Sequence, residues 1–437
     1  TGRPTRGDGA LRARVMGALP FRPTGAQGRC LEEIAADMAA PERMNRLLQG
    51  DVGAGKTLVA LLSMLIAVEA GGQAALMAPT EILARQHLAT LEPLLAPLGL
   101  APVLLTGRDK GAERAGKLER IARGEAGIVV GTHALFSEDV AFRDLRLVVV
   151  DEQHRFGVRQ RLKLSAKGER PDVLVMTATP IPRSLALAHF GDMDLSLLDE
   201  KPPGRVPVTT ALVSAERHDE VVARLGKAVA EGRRAYWVCP LVEESEEVDL
   251  ASAESRARSL RAALGPEVPV ALVHGRMPPA EKDAAMADFA AGRARVLVAT
   301  TVIEVGVDVP EATIMVIEHA DRFGLAQLHQ LRGRVGRGGG ASTCLLMYDP
   351  PLTESGKARL SVMRETEDGF RIAEEDLRLR GMGDLLGARQ SGLPEFRVAD
   401  AERDVALMAA ARDDARLLVA TDPALEGPRG EAVRVLL

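Results

Sequence analysis

The stretch Gly50-Asp51-Val52-Gly53-Ala54-Gly55-Lys56-Thr57 reads G-x-x-x-x-G-K-T. Glycines at these spacings let the backbone curl so that successive N–H groups face a polyphosphate. Lys56 has the reach for β- and γ-phosphates, and the Thr57 hydroxyl is placed to ligate Mg²⁺. All eight residues therefore stand as nucleotide-binding candidates. The apolar run Met44 to Leu48 predicts a strand before the loop, and Leu58 to Val68 predicts a helix after it. The N-terminus of that helix adds partial positive charge beneath a bound phosphate.

Outward from this loop, strands and helices alternate. Short apolar runs at Ala74 to Ala78, Val103 to Thr106, Ile128 to Val130, Leu145 to Val150 and Val173 to Met176 read as strands of a parallel sheet. Polar motifs follow their carboxyl ends, where open α/β sheets hold ligands. These are Pro79-Thr80-Glu81, Thr132-His133, Asp151-Glu152-Gln153-His154 and Thr177-Ala178-Thr179. The proline-rich break Glu200 to Arg205 reads as a linker. A second α/β block follows, with strands ending at Cys239-Pro240, His274-Gly275, Thr300-Thr301 and Glu318-His319, and with no second phosphate loop. The expected organisation is an arm over 1–20, one domain over 21–205, another over 206–350, and a helical C-terminal part over 351–437. Residues 1–10 read as a frayed arm, and Glu243 to Glu247 as a solvated acidic loop. Residues 357–380 read as a helical hairpin broken by Gly381-Met382-Gly383, with a loop from Leu385 to Asp400 and a helical tail.

Composition sets bounds. With 437 residues the chain has room for two or three domains. A net charge of −5 leaves nucleic acid open, since a basic stripe can sit on an acidic body. Aromatic residues make up only 3%, which disfavours gripping single strands by base stacking. No apolar run reaches membrane-spanning length, and no signal peptide is visible. Cys30, Cys239 and Cys344 are scattered, without metal-ligand spacing, and read as buried thiols in a reducing cytosol.

Two further groups carry chemistry. A carboxylate at Asp151 can hold Mg²⁺, and the adjacent Glu152 can position and deprotonate an attacking water. In Gln330-Leu331-Arg332-Gly333-Arg334-Val335-Gly336-Arg337, two arginines three apart would share one helix face. Arg334 and Arg337 are then arginine-finger candidates, completing a phosphate site that lacks its own. Gln27, upstream of the phosphate loop, could read an adenine edge with an amide that donates and accepts. Taken alone, it reads equally as an exposed helix residue.

In this order the set resembles the superfamily 2 helicases and translocases, built from two RecA-like domains. Asp151 to Val158 and Thr177-Ala178-Thr179-Pro180-Ile181-Pro182-Arg183 look like the branch that contains RecG and Mfd, as does Leu19-Pro20-Phe21 with Thr24, Ala26 and Gln27. Asp376-Leu377-Arg378-Leu379-Arg380-Gly381, Leu385-Leu386-Gly387 and Gln390-Ser391-Gly392 are similar to the TRG motif of both families. Gln390 to Phe396 favours the RecG side. The likeness covers roughly residues 11 to 400. Two departures stand out. Pro23 sits where the family usually has Leu. The chain also begins at Thr1, too late for the N-terminal wedge domain of RecG proteins, so either a fragment of something longer or an unusually short form is expected.

The resemblance implies ATP and Mg²⁺ as cofactors, with Gln27 on adenine, Thr57 and Asp151 on the metal, and Lys56 on phosphate. It implies that Gln153, His154, Thr177 and Thr179 couple nucleotide state to DNA grip. Pro79, Thr80, Thr132, His133, His274, Gly275, Thr300 and Thr301 would line a DNA backbone path, although any single Thr reads equally as a helix cap. Glu304, Gly306 and Asp308 would lie between that path and the nucleotide, the last two as nucleotide contacts. Arg380 and Gln390 match TRG positions that turn domain closure into movement along duplex. The implied activity is ATP-driven translocation on duplex DNA and remodelling of branched DNA in recombination and repair. The implied molecule is a monomer of the bacterial cytosol or nucleoid, with single-strand-binding protein as a further partner. The alternatives are the translocase module of an Mfd-like coupling factor, a nucleotide-dependent scaffold without motor activity, and, more weakly, an RNA helicase.

Overall fold

The structure is a computed structural model. It describes residues 2–151, 170–178, 181, 193–202, 204, 206–240, 246–300, 309–385, 405–422 and 424–434. Strands β1 to β13 and helices α1 to α13 are numbered along these residues.

The first sheet has seven parallel strands in the order β3-β4-β2-β5-β6-β1-β7. They span β1 Asn45–Gly50, β2 Gln73–Met77, β3 Val103–Leu105, β4 Ile128–Gly131, β5 Leu145–Asp151, β6 Asp172–Thr177 and β7 Asp194–Leu198. The central strands are buried on both faces, which is why they read as unbroken apolar runs. Around them lie α1 Ala10–Ala18, α2 Gly25–Ala39, α3 Lys56–Glu69, α4 Glu81–Leu95 and α5 Gly111–Ala122. From Val59 to Ala67 every residue of α3 is buried, as expected of a helix apolar all round.

One covering of α3 corrects the expectation of a frayed arm. Thr5 N–H donates to the Met38 carbonyl at 2.6 Å, and Gly2 N–H to that of Pro41 at 2.6 Å. The Glu69 carboxylate, at the end of α3, accepts from Gly9 N–H, Arg12 N–H and Arg12 Nε, each at 3.0 Å. That side chain is 1% exposed, and a buried carboxylate requires such donors. The arm provides them and is thereby ordered.

The second sheet has six parallel strands in the order β10-β11-β9-β12-β13-β8. They are β8 Val208–Ser214, β9 Arg234–Val238, β10 Val270–Val273, β11 Val296–Ala299, β12 Ala312–Ile317 and β13 Ser342–Tyr348. Its helices are α6 His218–Ala230, α7 Glu246–Leu264, α8 Pro279–Ala290 and α9 Leu325–Arg332. Glu246 and Glu247 thus open α7 instead of belonging to a solvated loop.

The expected hairpin is present as α10 Glu354–Glu365 and α11 Gly369–Leu385. Leu360, Met363 and Ile372 join the core of the second sheet. The backbone of α11 continues through Gly381 and Gly383, so those glycines do not break it. A helical glycine costs only about 1 kcal/mol, and the hairpin's packing offsets it. The expected loop from 385 lies beyond the described residues except Leu385, which ends α11. The tail holds α12 Val405–Thr421 and α13 Pro428–Arg434. Among the described residues, no helix is long and apolar enough to cross a membrane. The three cysteines are buried and unpaired, and burial pushes Cys30 up to about 11 and Cys344 up to about 12.

Candidate nucleotide site and nucleic-acid path

Strand order brings the polar motifs of the first sheet together. β6 lies between β1 and β5, with Gln49 in register with Thr177 and Asp151 with Met176. Gly50, Thr177 and Asp151 therefore stand along one carboxyl edge. The loop after β1 turns through Gly53 and Gly55, at φ 77° and 85°. At Gly55 the need for glycine is doubled, since a Cβ there would come within 2.1 Å of Gln27 Nε2. Lys56 Nζ donates to the carbonyls of Gly50 at 2.8 Å and Asp51 at 2.9 Å. The ammonium is thus folded against the loop where a polyphosphate would lie.

Gln27 is buried, and α2 explains its position. Thr24 caps the helix in a reciprocal box: Gln27 N–H donates to Thr24 Oγ1 at 3.2 Å, and Thr24 N–H donates to Gln27 Oε1 at 2.9 Å. Gln27 Nε2 also donates to the Ala54 carbonyl at 3.0 Å. The alternative of an exposed helix residue is thereby excluded. An amide offers two N–H groups and two lone pairs. These two side-chain bonds use half of that capacity, leaving one donor and one acceptor for an adenine edge.

His87 of α4 was not legible as a site residue, yet its Nε2 lies 2.6 Å from Asp151 Oδ2. Among the described residues, no group of three or more His, Cys, Asp or Glu could hold a metal. A hydroxyl and one carboxylate beside a phosphate loop suit a hard cation that keeps waters and phosphate oxygens as its other ligands, and Mg²⁺ has that chemistry.

The second sheet meets this site at its rim. Helix α9 ends at Arg332, so Arg334 and Arg337 lie in the turn beyond it and do not share a helical face as expected. Arg337 Nε donates back to the Gly333 carbonyl at 3.0 Å. That turn abuts the phosphate loop, since a Cβ on Gly333 would come 2.9 Å from Val52 Cβ. His329 Nε2 lies 2.5 Å from Asp51 Oδ1. Burial pushes the Asp51 carboxyl up, but the His329 hydrogen bond, the Val52 N–H and the field of Lys201 outweigh it and hold the group below its usual range.

The remaining motifs line the carboxyl edges. Thr80 caps α4, accepting from Leu83 N–H at 3.4 Å, so its hydroxyl has the cap role that was its alternative reading. Pro79 is half-buried, Thr132 and Thr177 are buried, and His133 is exposed. With Gly107, Asp109, Arg114 and Phe136, His133 lines a cavity of about 530 Å³. In the second sheet Val273, Ala299 and Val238 are in register, which sets His274 beside Thr300 and exposes Gly275 next to them. Among the described residues, His274 Nδ1 and Thr300 Oγ1 are buried with no hydrogen-bond partner. Two orphaned polar atoms on neighbouring strands are what a site for an external polar ligand leaves behind. Glu152, Gln153, His154, Thr179, Thr301, Glu304, Gly306, Asp308 and Gln390 lie outside the described residues. Arg380 lies on α11.

Two parallel sheets, one with a phosphate loop and the other with an arginine turn against it, are the fold of the superfamily 2 helicases. The family described as DEAD/DEAH box helicase matches residues 24–187, and the Helicase conserved C-terminal domain matches 219–339. ATP-dependent DNA helicase RecG, domain 3, C-terminal, matches residues 366–435. Over most of its length the chain is similar to the RecG helicases. It is 53% identical over 410 residues to ATP-dependent DNA helicase RecG of Escherichia coli K12, covering 93% of this chain and 59% of that protein. With RecG of Bacillus subtilis 168 it shares 52% over 421 residues, covering 96% and 62%. A solved structure of RecG bound to a three-way DNA junction superposes with a TM-score of 0.80 at 45% identity, covering 93% of this chain and 53% of that one. Yeast Dbp5 bound to RNA and ADP BeF3 shares the fold alone, at 18% identity and a TM-score of 0.57. The chain therefore spans about three fifths of the curated relatives it matches. The Mfd-like alternative is not favoured.

Proposed function

We propose that the chain is an ATP-driven motor that moves on duplex DNA and remodels branched DNA, such as stalled forks and Holliday junctions, in recombination and repair. The observation that carries this reading is the contact of the arginine turn with the phosphate loop, Gly333 on Val52 and His329 on Asp51. It lets one loop hold a triphosphate while arginines of the other domain reach it.

In this reading Gln27 reads adenine and the loop amides from Gly50 to Gly55 cradle phosphate. Lys56 leaves its two carbonyl partners for phosphate oxygens. Thr57 and Asp151 would hold Mg²⁺, which would supply charge neutralisation to the bound phosphates. Glu152 takes the proton of the attacking water, while Arg334 and Arg337 meet the charge that builds on the γ-phosphate. Gly306 and Asp308 complete the nucleotide contacts. Across the carboxyl edges, Pro79, Thr80, Thr132, His133, His274, Gly275, Thr300 and Thr301 track the DNA backbone through hydroxyls, rings and N–H groups, without reading sequence. His154, Thr177 and Thr179 link nucleotide to grip, and Arg380 and Gln390 turn closure into movement. Domain limits at 205/206 and 350/351, a monomeric state, a cytosolic or nucleoid location and single-strand-binding protein as a partner belong to the same proposal.

The test is the ATPase rate without DNA, with single strands, with linear duplex and with a branched fork. The expected result is stimulation by duplex, strongest with the fork, and its loss in Lys56→Ala with the fold retained. Equal stimulation by fork and linear duplex would reduce the reading to a translocase without junction preference. A rate indifferent to every DNA, or intact in Lys56→Ala, would overturn it.

A further inference from the structure

The phosphate loop and the second domain are joined by a buried chain of hydrogen bonds. Arg332 Nη1 donates to the Met363 carbonyl of α10 at 2.6 Å, and Arg332 Nη2 lies 3.1 Å from His329 Nδ1. A guanidinium only donates, so Nδ1 accepts and the ring proton sits on Nε2. That proton is then donated to Asp51 Oδ1, 2.5 Å away. Arg332, His329 and Asp51 are 3%, 5% and 8% exposed. Arg332 Nη1 also donates to Thr210 Oγ1 at 3.3 Å, and the Arg332–His329–Asp51 polarity runs one way, toward the phosphate loop.

We propose that His329 is a positioning residue for ATP hydrolysis: by bonding Asp51 it sets Arg334 and Arg337 in register over the phosphate loop. The inference rests on the motor reading above. Its physical basis is where α9 stops. The helix ends at Arg332; beyond it Arg334 N–H turns back to the Leu331 carbonyl at 3.0 Å and Val335 N–H to that of Arg332 at 3.2 Å, and the chain then leaves helical geometry at Gly336, φ 78°. These turn bonds lead back to Leu331, Arg332 and Gly333, so the placement of both arginines over the phosphate loop depends on how that end of α9 is seated, through His329 on Asp51 and Gly333 against Val52. Losing the anchor leaves Asp51 buried with a lost donor and lets the turn drift. A displacement of 1 Å in such a site costs roughly 100-fold in rate.

Glutamine at 329 can reproduce the polarity, its amide N–H facing Asp51 and its carbonyl facing Arg332, whereas leucine keeps bulk and loses both bonds. On the full 437-residue chain, kcat and KM for ATP, binding of a fluorescent ATP analogue and thermal unfolding are compared. His329→Leu is expected to lower kcat roughly 10- to 100-fold, with analogue affinity held within about threefold. His329→Gln is expected to restore most of the rate. Adding His329→Leu to Arg334→Ala should cost no more than about twofold further, since both act through one contact. If His329→Leu does not fold, Asp51→Ala carries the same comparison from the other domain. A normal kcat in His329→Leu, equal loss in Leu and Gln variants, or losses that multiply with Arg334→Ala would each overturn the inference. Normal hydrolysis in Arg334→Ala and Lys56→Ala would instead remove the motor reading on which it stands.

Discussion

A carboxylate at the end of a buried strand has to be oriented before it can share a cation. Asp151 receives that orientation from His87, whose ring nitrogen lies 2.6 Å from Oδ2. The pair spans two elements, α4 and β5, with no sequence motif connecting them. Groups that orient a metal-binding carboxylate typically contribute 10- to 100-fold in affinity or activity. His87→Ala is therefore expected to raise the Mg²⁺ concentration for half-maximal ATP hydrolysis by about tenfold, with little change in thermal stability. An unchanged Mg²⁺ dependence would show that Asp151 needs no such support. Gln27 was legible as a polar residue near the loop. That Thr24 and Ala54 would fix its amide was not, because Ala54 is 27 positions away and offers only a backbone carbonyl.

At the scale of one element, β6 shows how stability and site are kept at opposite ends of the sheet. Its carboxyl end carries Thr177 toward the site, while its first residue, Asp172, is buried at the far edge and accepts Met44 N–H at 2.8 Å. Burial raises this carboxyl from its ordinary 3.8 to about 7, against the Met44 N–H and Arg43, which lower it. Between those values the folded chain holds a proton that the unfolded chain has lost. Stability conferred by the protonated group is thus fully present below about pH 4 and falls as pH rises to about 7. Asp172→Asn keeps an acceptor for Met44 and removes the titration. Urea unfolding at pH 5 and pH 7.5 should show the variant gaining on the parent by on the order of a few kcal/mol at the higher pH. A constant difference between the two pH values would contradict the buried, protonated state. Strands β7 and β8 were missed in the sequence for a related reason. Each is an edge strand with one neighbour and a half-exposed burial pattern, so neither shows an unbroken apolar run.

For the whole molecule, the two sheets meet at points of different character. The Asp51–His329 contact is buried, whereas Arg108 reaches Asp283 of α8 at 2.9 Å and Glu81 of α4 at 3.2 Å from an exposed position. Exposed pairs are weak and screened by salt, so a DNA phosphate can compete for Arg108. Asp283→Asn is expected to tighten duplex binding a few-fold at low salt, the gain fading as salt screens it within about 3 Å near 1 M, with DNA-independent ATP hydrolysis unchanged. Weaker or unaltered binding would mean that the pair does not compete with DNA.

Glycine spacing and apolar runs are local properties, so the loop from Gly50 to Thr57, the buried strands around it and the order of the polar motifs can be read directly from the residues. The sequence also carried the likeness to the RecG branch, through Asp151 to Val158 and the segment around Arg380. It could not say where α9 would end, that α11 would pass through Gly381, or that Glu69 would order the arm. Those outcomes follow from packing and from the need of buried polar groups for partners. Only the tertiary structure set His87 on Asp151 and His329 on Asp51, since hydrogen bonds between residues 64 and 278 positions apart have no local signature.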